Sequence, residues 1–296
     1  MNKEHIKKIV YSLGKLLGLV GLLFVFYKLS QEYTLHEFIE KFSSISPIIL
    51  PLFILNMLST LIGIYAWHLM LIHYARKKFP FIDSYYYFSK TEIAKYLPGN
   101  IFHFIGRQAL ASQVGISQVD MAKISVLFTF LLLVATILSS TFFAFLASHI
   151  PTYILVLMVL GSIISILVVI YTYKSFPLSK KAKMNIFLAL SISLQGMLLG
   201  ILVMYQTESF DLGLFFQCVS IYIVSWLIGF VTPGASGGLG IREGTFIAIS
   251  SFLHIAIASE IIIFSVLLIR LVNILIDTML YISTLLIENK IKYLKR

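Results

Sequence analysis

The sequence predicts an all-α polytopic membrane protein of about eight transmembrane helices, with two glycine- and proline-broken, re-entrant elements. Three observations carry this prediction. Apolar side chains make up 59% of the 296 residues and charged ones only 12%, against about 25% charged in a soluble domain. The apolar residues fall in runs near the roughly 20 needed to cross the hydrocarbon of a bilayer. Nineteen of the 23 Lys and Arg residues fall in alternate inter-run segments, the bias that marks cytoplasmic loops. Water-soluble enzyme folds are thereby excluded. The net charge of +10 is read as basic loops against anionic lipid, not as nucleic-acid binding.

The apolar runs lie at 9–29, 47–73, 124–147, 151–173, 184–205, 212–231, 245–259 and 260–287. The first follows Lys3, Lys7 and Lys8. It is long enough to span and shows no small-residue cleavage site, so it reads as a membrane helix and not a signal peptide. The seventh is short and polar-tipped, with the look of a half helix. With eight spans both termini face the cytoplasm of a bacterial inner membrane. The lone Cys218 sits in an apolar run, as a buried filler without disulfide or metal company.

Between the second and third runs, 74–123 is too long and too aromatic for a plain loop. Tyr85, Tyr86, Tyr87 and Phe88 resemble an interfacial aromatic belt. Ser89 to Glu92 and Ser117 to Asp120 fit capping boxes, and Gly115 reads as a helix stop. Leu97, Pro98, Gly99 and Asn100 interrupt the segment. Two readings stay open here: a hairpin re-entering from the cytoplasm, or a surface pair of amphipathic helices.

The stronger break follows the sixth run. Pro233 removes a backbone donor, and Gly234, Gly237, Gly238, Gly240 and Gly244 favour irregular backbone. Peptide groups left unpaired at such a break cannot face lipid, so they line a cavity or are covered by protein. Arg242 and Glu243 then open a new helix. Free N–H groups beside an arginine suit an anion, phosphate above all. A weaker copy lies upstream, in Leu97, Pro98, Gly99 and Asn100 followed by Gly106 and Arg107, with His103 beside it. Breaks in corresponding places point to a transporter's binding site and to a parallel repeat, 1–173 and 174–296, within one transmembrane domain.

The last run carries Arg270, Asn273 and Asp277 on one helix face. Each charge costs about 2.5–3.5 kcal/mol near a helix centre, so each calls for a partner or a function. About 10 Å of rise separates Arg270 from Asp277, too far for an ideal direct pair. Glu243 is the expected partner of Arg270, and Arg242 or Lys15 that of Asp277. The alternative is a purely structural salt bridge. Gln195 and Gln217 read as interhelical glue. No metal, nucleotide or nucleophile-elbow motif is present, so no catalytic residue, metal or cofactor is expected.

On the run from Tyr96 through Leu97, Pro98, Gly99, Asn100 and His103 to Arg107, and on Gly238, Leu239, Gly240, Ile241, Arg242 and Glu243, nearly the whole chain resembles a known family. This is the flippase-like transmembrane domain of bacterial lysylphosphatidylglycerol synthases and its stand-alone relatives. The resemblance implies movement of a phosphate-containing lipid between leaflets, with Arg107, Arg242 and Glu243 as key positions. The bifunctional synthases continue into an aminoacyl-transfer domain; this chain stops at Arg296, so it is not expected to make lysylphosphatidylglycerol. The implied lipid is an aminoacylated phosphatidylglycerol or a polyprenyl phosphate. Gly237, Gly238, Gly240, Asn100 and His103 would join the arginines at the phosphate, while Glu243, Arg270, Asn273 and Asp277 would line or couple the path. Expected partners are membrane lipids with anionic head groups, with a homo-oligomer or an envelope-biosynthesis protein as further candidates. The rivals are a membrane-embedded enzyme using Glu243 or Asp277 as base, and a non-transporting subunit of lipid-linked polysaccharide assembly.

Overall fold

The computed structural model describes residues 35–75, 80–96, 102–148, 150–172, 176–207, 210–233, 236–238, 240–255 and 257–293. Every regular element among them is helical. The apolar run at 9–29, Lys15 and Asn100 lie outside the described residues.

The elements follow in order. A short helix, α1 (Leu35–Ser44), precedes α2 (Ser46–Ala75). Then come α3 (Phe81–Glu92), a 3-10 segment (Ile93–Tyr96) and α4 (Phe102–Val114). Three long helices follow: α5 (Gln118–Leu146), α6 (Thr152–Thr172) and α7 (Leu178–Thr207). Next are α8 (Leu212–Val231), a 3-10 turn (Ser236–Gly238), α9 (Ile241–Phe252) and α10 (Ser259–Tyr293).

Six of these helices, α2, α5, α6, α7, α8 and α10, are long and apolar enough to cross a membrane. They correspond to six of the eight expected runs, and the chain is a multi-pass membrane protein. Helix α9 is not a seventh. Its 12 residues rise about 18 Å, short of the roughly 30 Å of hydrocarbon. The run at 245–259 breaks where α9 stops, at Phe252, followed by His254 with φ of 49°.

Local sequence explains several boundaries. Ser117 caps α5 by accepting the Asp120 N–H at 3.0 Å, as its capping box requires. Asp211 caps α8 through the Leu214 N–H at 2.9 Å. Gly115, at φ of 69°, follows α4 in the left-handed conformation that ends helices. The other expected box fails, because Ser89 lies inside α3, which begins at Phe81 behind Pro80. There the fixed φ of proline, not a serine, sets the helix start.

Two apolar clusters build the core. One gathers Trp67 of α2, Tyr86, Tyr87 and Phe88 of α3, Phe128 of α5 and Met184 of α7. The tyrosines expected in an interfacial belt are therefore partly core: Tyr86, Tyr87 and Phe88 are buried. Packing against α10 and α2 hides them, as in the edge-on contact of Trp67 with Phe88. The other cluster gathers Phe143, Leu199, Phe215, Val219, Tyr222, Phe246 and Phe264. Helices α7 and α8 meet through Gly196 and Gly200. A Cβ at Gly200 would lie 2.6 Å from the Phe215 ring, so a small residue is required at this crossing. Ser59 and Ser191 each donate to the other's carbonyl at 2.8 Å, tying α2 to α7.

Candidate functional site

A cavity of about 150 Å³ opens between the clusters. Thr60, Leu132, Ser191 and Asn273 line it. Each lies within two residues of the midpoint of its apolar helix: Ser46–His73, Gln118–Leu146, Leu178–Thr207 and Ser259–Glu288. The cavity therefore sits halfway along α2, α5, α7 and α10, and at the end of α8, where Trp226 and Phe230 line it. Two interruptions of helical structure converge on it.

The first interruption is the end of α3. Glu92 closes that helix, and the 3-10 segment then presents Lys95 and Tyr96. Arg107 of α4 reaches back to Glu92, Nη2 to Oε2, at 2.7 Å. Its guanidinium also lies 4.5 Å from the Trp67 ring centre and 4.8 Å from that of Phe88, a cation–π setting. Lys95 joins two carboxylates, Glu92 at 3.2 Å and Asp277 of α10 at 2.9 Å. Tyr96 donates its hydroxyl to Asp277 at 2.6 Å. Asp277 is thus paired by Lys95 and Tyr96, not by Arg242; Lys15, the other expected partner, lies outside the described residues. Lys95, counted in the sequence as an orientation signal, is drawn inward because α3 packs along α10.

The second interruption follows α8. Gly237, Gly238 and Gly240 have φ of 54°, 75° and 76°, conformations that L side chains rarely adopt. The buried Gly237 carbonyl accepts from Arg270 Nη2 at 3.0 Å. Arg270 Nη1 meets Glu243 Oε1 at 2.6 Å, the pairing the sequence suggested. The two interruptions touch: a Cβ at Gly237 would lie 3.2 Å from the Tyr96 ring.

Arg242 occupies a slot between glycines. A Cβ at Gly238 would lie 2.7 Å from its Nε, and one at Gly229 would collide with its Cγ. The guanidinium sits 5.3 Å from the Trp226 ring centre, and Trp226 stacks on Phe230 at 5.1 Å. Arg242 has no hydrogen bond or ion pair with a described residue, and its Nε is buried without a partner. Burial, and next the positive charge of Arg270, push its guanidinium below the ordinary value.

Of the residues put forward for the site from the sequence, Arg107, His103, Gly237, Arg242, Arg270, Asn273 and Asp277 line this one cavity, as does Gln195, read there as interhelical glue. Arg270 and Asp277 are 7% and 6% exposed and point into the bundle. Gly238 stands behind Arg242 and Glu243 behind Arg270, while Gly240 caps α9 without a side-chain bond. Asn273 accepts from Asn56 at 2.9 Å. His103 is buried with Nδ1 unpartnered. Burial first, then the Arg107 and Lys95 charges against the pull of Glu92, lower it to about 4, so it is neutral. Burial pushes Glu92 up, but Lys95 and Arg107 outweigh this and hold it at about 2.

Sequence reading did not assign Glu92, Tyr96, Trp226, Gly229 or Asn56 to the site. Asn56 carried a usable signal, as an amide inside an apolar run. Glu92 and Gly229 carried none, since their roles depend on which helix lies opposite.

Among the described residues no group of His, Cys, Asp or Glu is placed to hold a metal ion. The site can hold a buried anion beside Arg242 and an apolar moiety beside Phe104, Phe128 and Phe230. Compared with known protein families and with curated proteins, the chain matches none.

Proposed function

We propose that this chain binds a phosphate-bearing lipid by its head group in the central cavity and moves it between leaflets of the bacterial cytoplasmic membrane. The single observation that carries this reading is Arg242. Arg107 and Arg270, which line the same cavity, each have a carboxylate partner, and so does Lys95. Arg242 has none among the described residues. A guanidinium kept halfway along membrane helices without a counter-charge is costly unless a ligand supplies one.

In this reading α3 with α4, and α8 with α9, are hairpins whose tips enter the membrane and meet at Tyr96 and Gly237. Their irregular backbone is tolerated because it lines a cavity and does not face lipid. Arg242 grips the phosphate through two parallel N–H donors. The α9 N-terminus adds its free N–H groups and dipole, and the lipid tails stay outside the bundle. The site binds and releases its lipid without chemical change, and the chain stands with the flippase-like family it resembles.

The test is transport by purified protein in phosphatidylcholine vesicles carrying a trace of tail-labelled phosphatidylglycerol. Wild-type protein accelerates exchange between leaflets. Arg242→Ala loses at least about tenfold, and Arg242→Lys loses part of the rate because lysine cannot form the bidentate pair. Undiminished exchange in Arg242→Ala at equal incorporation would sink the reading. Conversion of the lipid to a new product would replace it with an enzyme.

A further inference from the structure

Resting on that reading, the charge inventory of the cavity narrows the ligand. Four cations line it: Lys95, Arg107, Arg242 and Arg270. Three carboxylates answer them: Glu92 and Asp277 in the lining, and Glu243 directly behind on Arg270. All three carboxylates are engaged by a cation within 3.2 Å. Among the described residues the site therefore carries one net positive charge, on Arg242, and no uncommitted carboxylate.

We infer that the ligand's head group is a monoanionic phosphodiester without an accompanying cation, in preference to a phosphomonoester or an aminoacylated diester. One negative charge neutralises the site. A phosphomonoester carries up to two above its second pKa of about 6, leaving one unpaired in a low-dielectric cavity, which is costly. An aminoacyl group brings ammonium charges, and every carboxylate that would receive them is already held by Arg107, Lys95 or Arg270. Nearby, Tyr222 and Trp226 of α8, Tyr96 of the 3-10 segment, His103 of α4 and Asn273 of α10 contribute no fixed charge. The aromatic side of the cavity suits the glycerol or sugar carbons that esterify such a phosphate.

The ligand's own titration supplies the test. Glu92 and His103, held at about 2 and about 4, do not change charge between about pH 5 and pH 9. A phosphomonoester does, passing from one charge to two, whereas a phosphodiester keeps its single charge. Exchange is measured for tail-labelled phosphatidylglycerol, phosphatidic acid and lysyl-phosphatidylglycerol, each as a trace in phosphatidylcholine vesicles.

At about pH 9 phosphatidylglycerol should exchange at least about tenfold faster than phosphatidic acid, and the ratio should fall to within about threefold at pH 5 as the monoester loses its second charge. At about pH 5 lysyl-phosphatidylglycerol should be slower than phosphatidylglycerol by about tenfold or more. Phosphatidic acid matching phosphatidylglycerol at pH 9, or lysyl-phosphatidylglycerol exceeding it at pH 5, overturns the one-charge inference and leaves translocation standing. Exchange of all three at rates unaltered by Arg242→Gln overturns the proposed function itself. Dimethyl phosphate, a soluble diester monoanion, separates the sources. If it saturates detergent-solubilised protein as readily as short-chain phosphatidylglycerol does, the site takes a free anion and the lipid assignment falls. The comparison among lipids uses the native protein, so it stands even if the variant fails to fold.

Discussion

Arg107 illustrates how a charge is made tolerable inside this bundle. It is 5% exposed, ion-paired to Glu92 and faced by the Trp67 and Phe88 rings. Removing only the carboxylate leaves the guanidinium buried and uncompensated, at a cost of about 3–5 kcal/mol. Glu92→Gln should therefore lower the thermal midpoint in detergent, and adding Arg107→Gln should recover part of the loss; a midpoint unchanged by Glu92→Gln would refute the coupling. Arg242 is held differently, by absence of bulk. Gly229→Ala places a methyl group on its Cγ, with strain of about 1–3 kcal/mol. We expect the arginine to leave its slot and lipid exchange to fall while size-exclusion behaviour stays native. Full exchange in Gly229→Ala would show that the slot is not needed.

Acid sensitivity follows from two residues of the first hairpin, His103 and Glu92. The folded protein holds His103 at about 4, below its ordinary 6.5, so the unfolded chain takes up that proton first. Stability is then unaffected above 6.5 and falls as pH drops from 6.5 towards 4. Glu92, at about 2 against an ordinary 4.5, contributes stability that is present above 4.5 and lost as pH falls towards 2. The thermal midpoint should decline in two stages on acidification. His103→Gln should flatten the upper stage alone, and an unaltered slope there would assign it to another group.

At the scale of elements, the pairing of α7 with α8 depends on Gly196 and Gly200 lying against Val219 and Phe215. Gly200→Leu forces these helices apart and should destabilise the bundle by at least about 1–3 kcal/mol, measured as a lower midpoint and poorer recovery of monodisperse protein. Unchanged stability would mean the helices reach this contact by another route. The short α9 shows a different economy. It runs back beside α8, with Arg242 at its start against Gly229 near the end of α8, and Phe246 in the same apolar cluster as Phe215. An element of 12 residues is enough because it needs only to return from the break.

For the whole molecule, that return has a topological consequence. Because α9 brings the chain back alongside α8, the pair leaves the side on which α10 begins unchanged, whether or not α8 crosses fully. The basic C-terminal segment, including Lys292, Lys295 and Arg296, is then expected on the same side as the Arg76, Lys77 and Lys78 segment, the cytoplasm by the positive-inside bias. A reporter fused after Arg296 should read cytoplasmic; a periplasmic signal would overturn this arrangement.

The sequence by itself determined the all-helical, multi-pass class and located six of the long helices, because hydrocarbon imposes a length and an apolar composition that can be read along the chain. It also placed the glycine break, through residues whose backbone needs are local, and the Arg270 partnership with Glu243, because a buried charge demands an opposite one. Only the tertiary structure decided which carboxylate meets which cation. Lys95 and Asp277 are 182 residues apart in the chain and 2.9 Å apart in space, and no periodicity encodes that meeting. It likewise decided that Gly229 makes room for Arg242 and that Arg242 is the cation left over. Net charge at a buried site is a sum over neighbours from α3, α4, α9 and α10, and that sum exists only once those helices have packed.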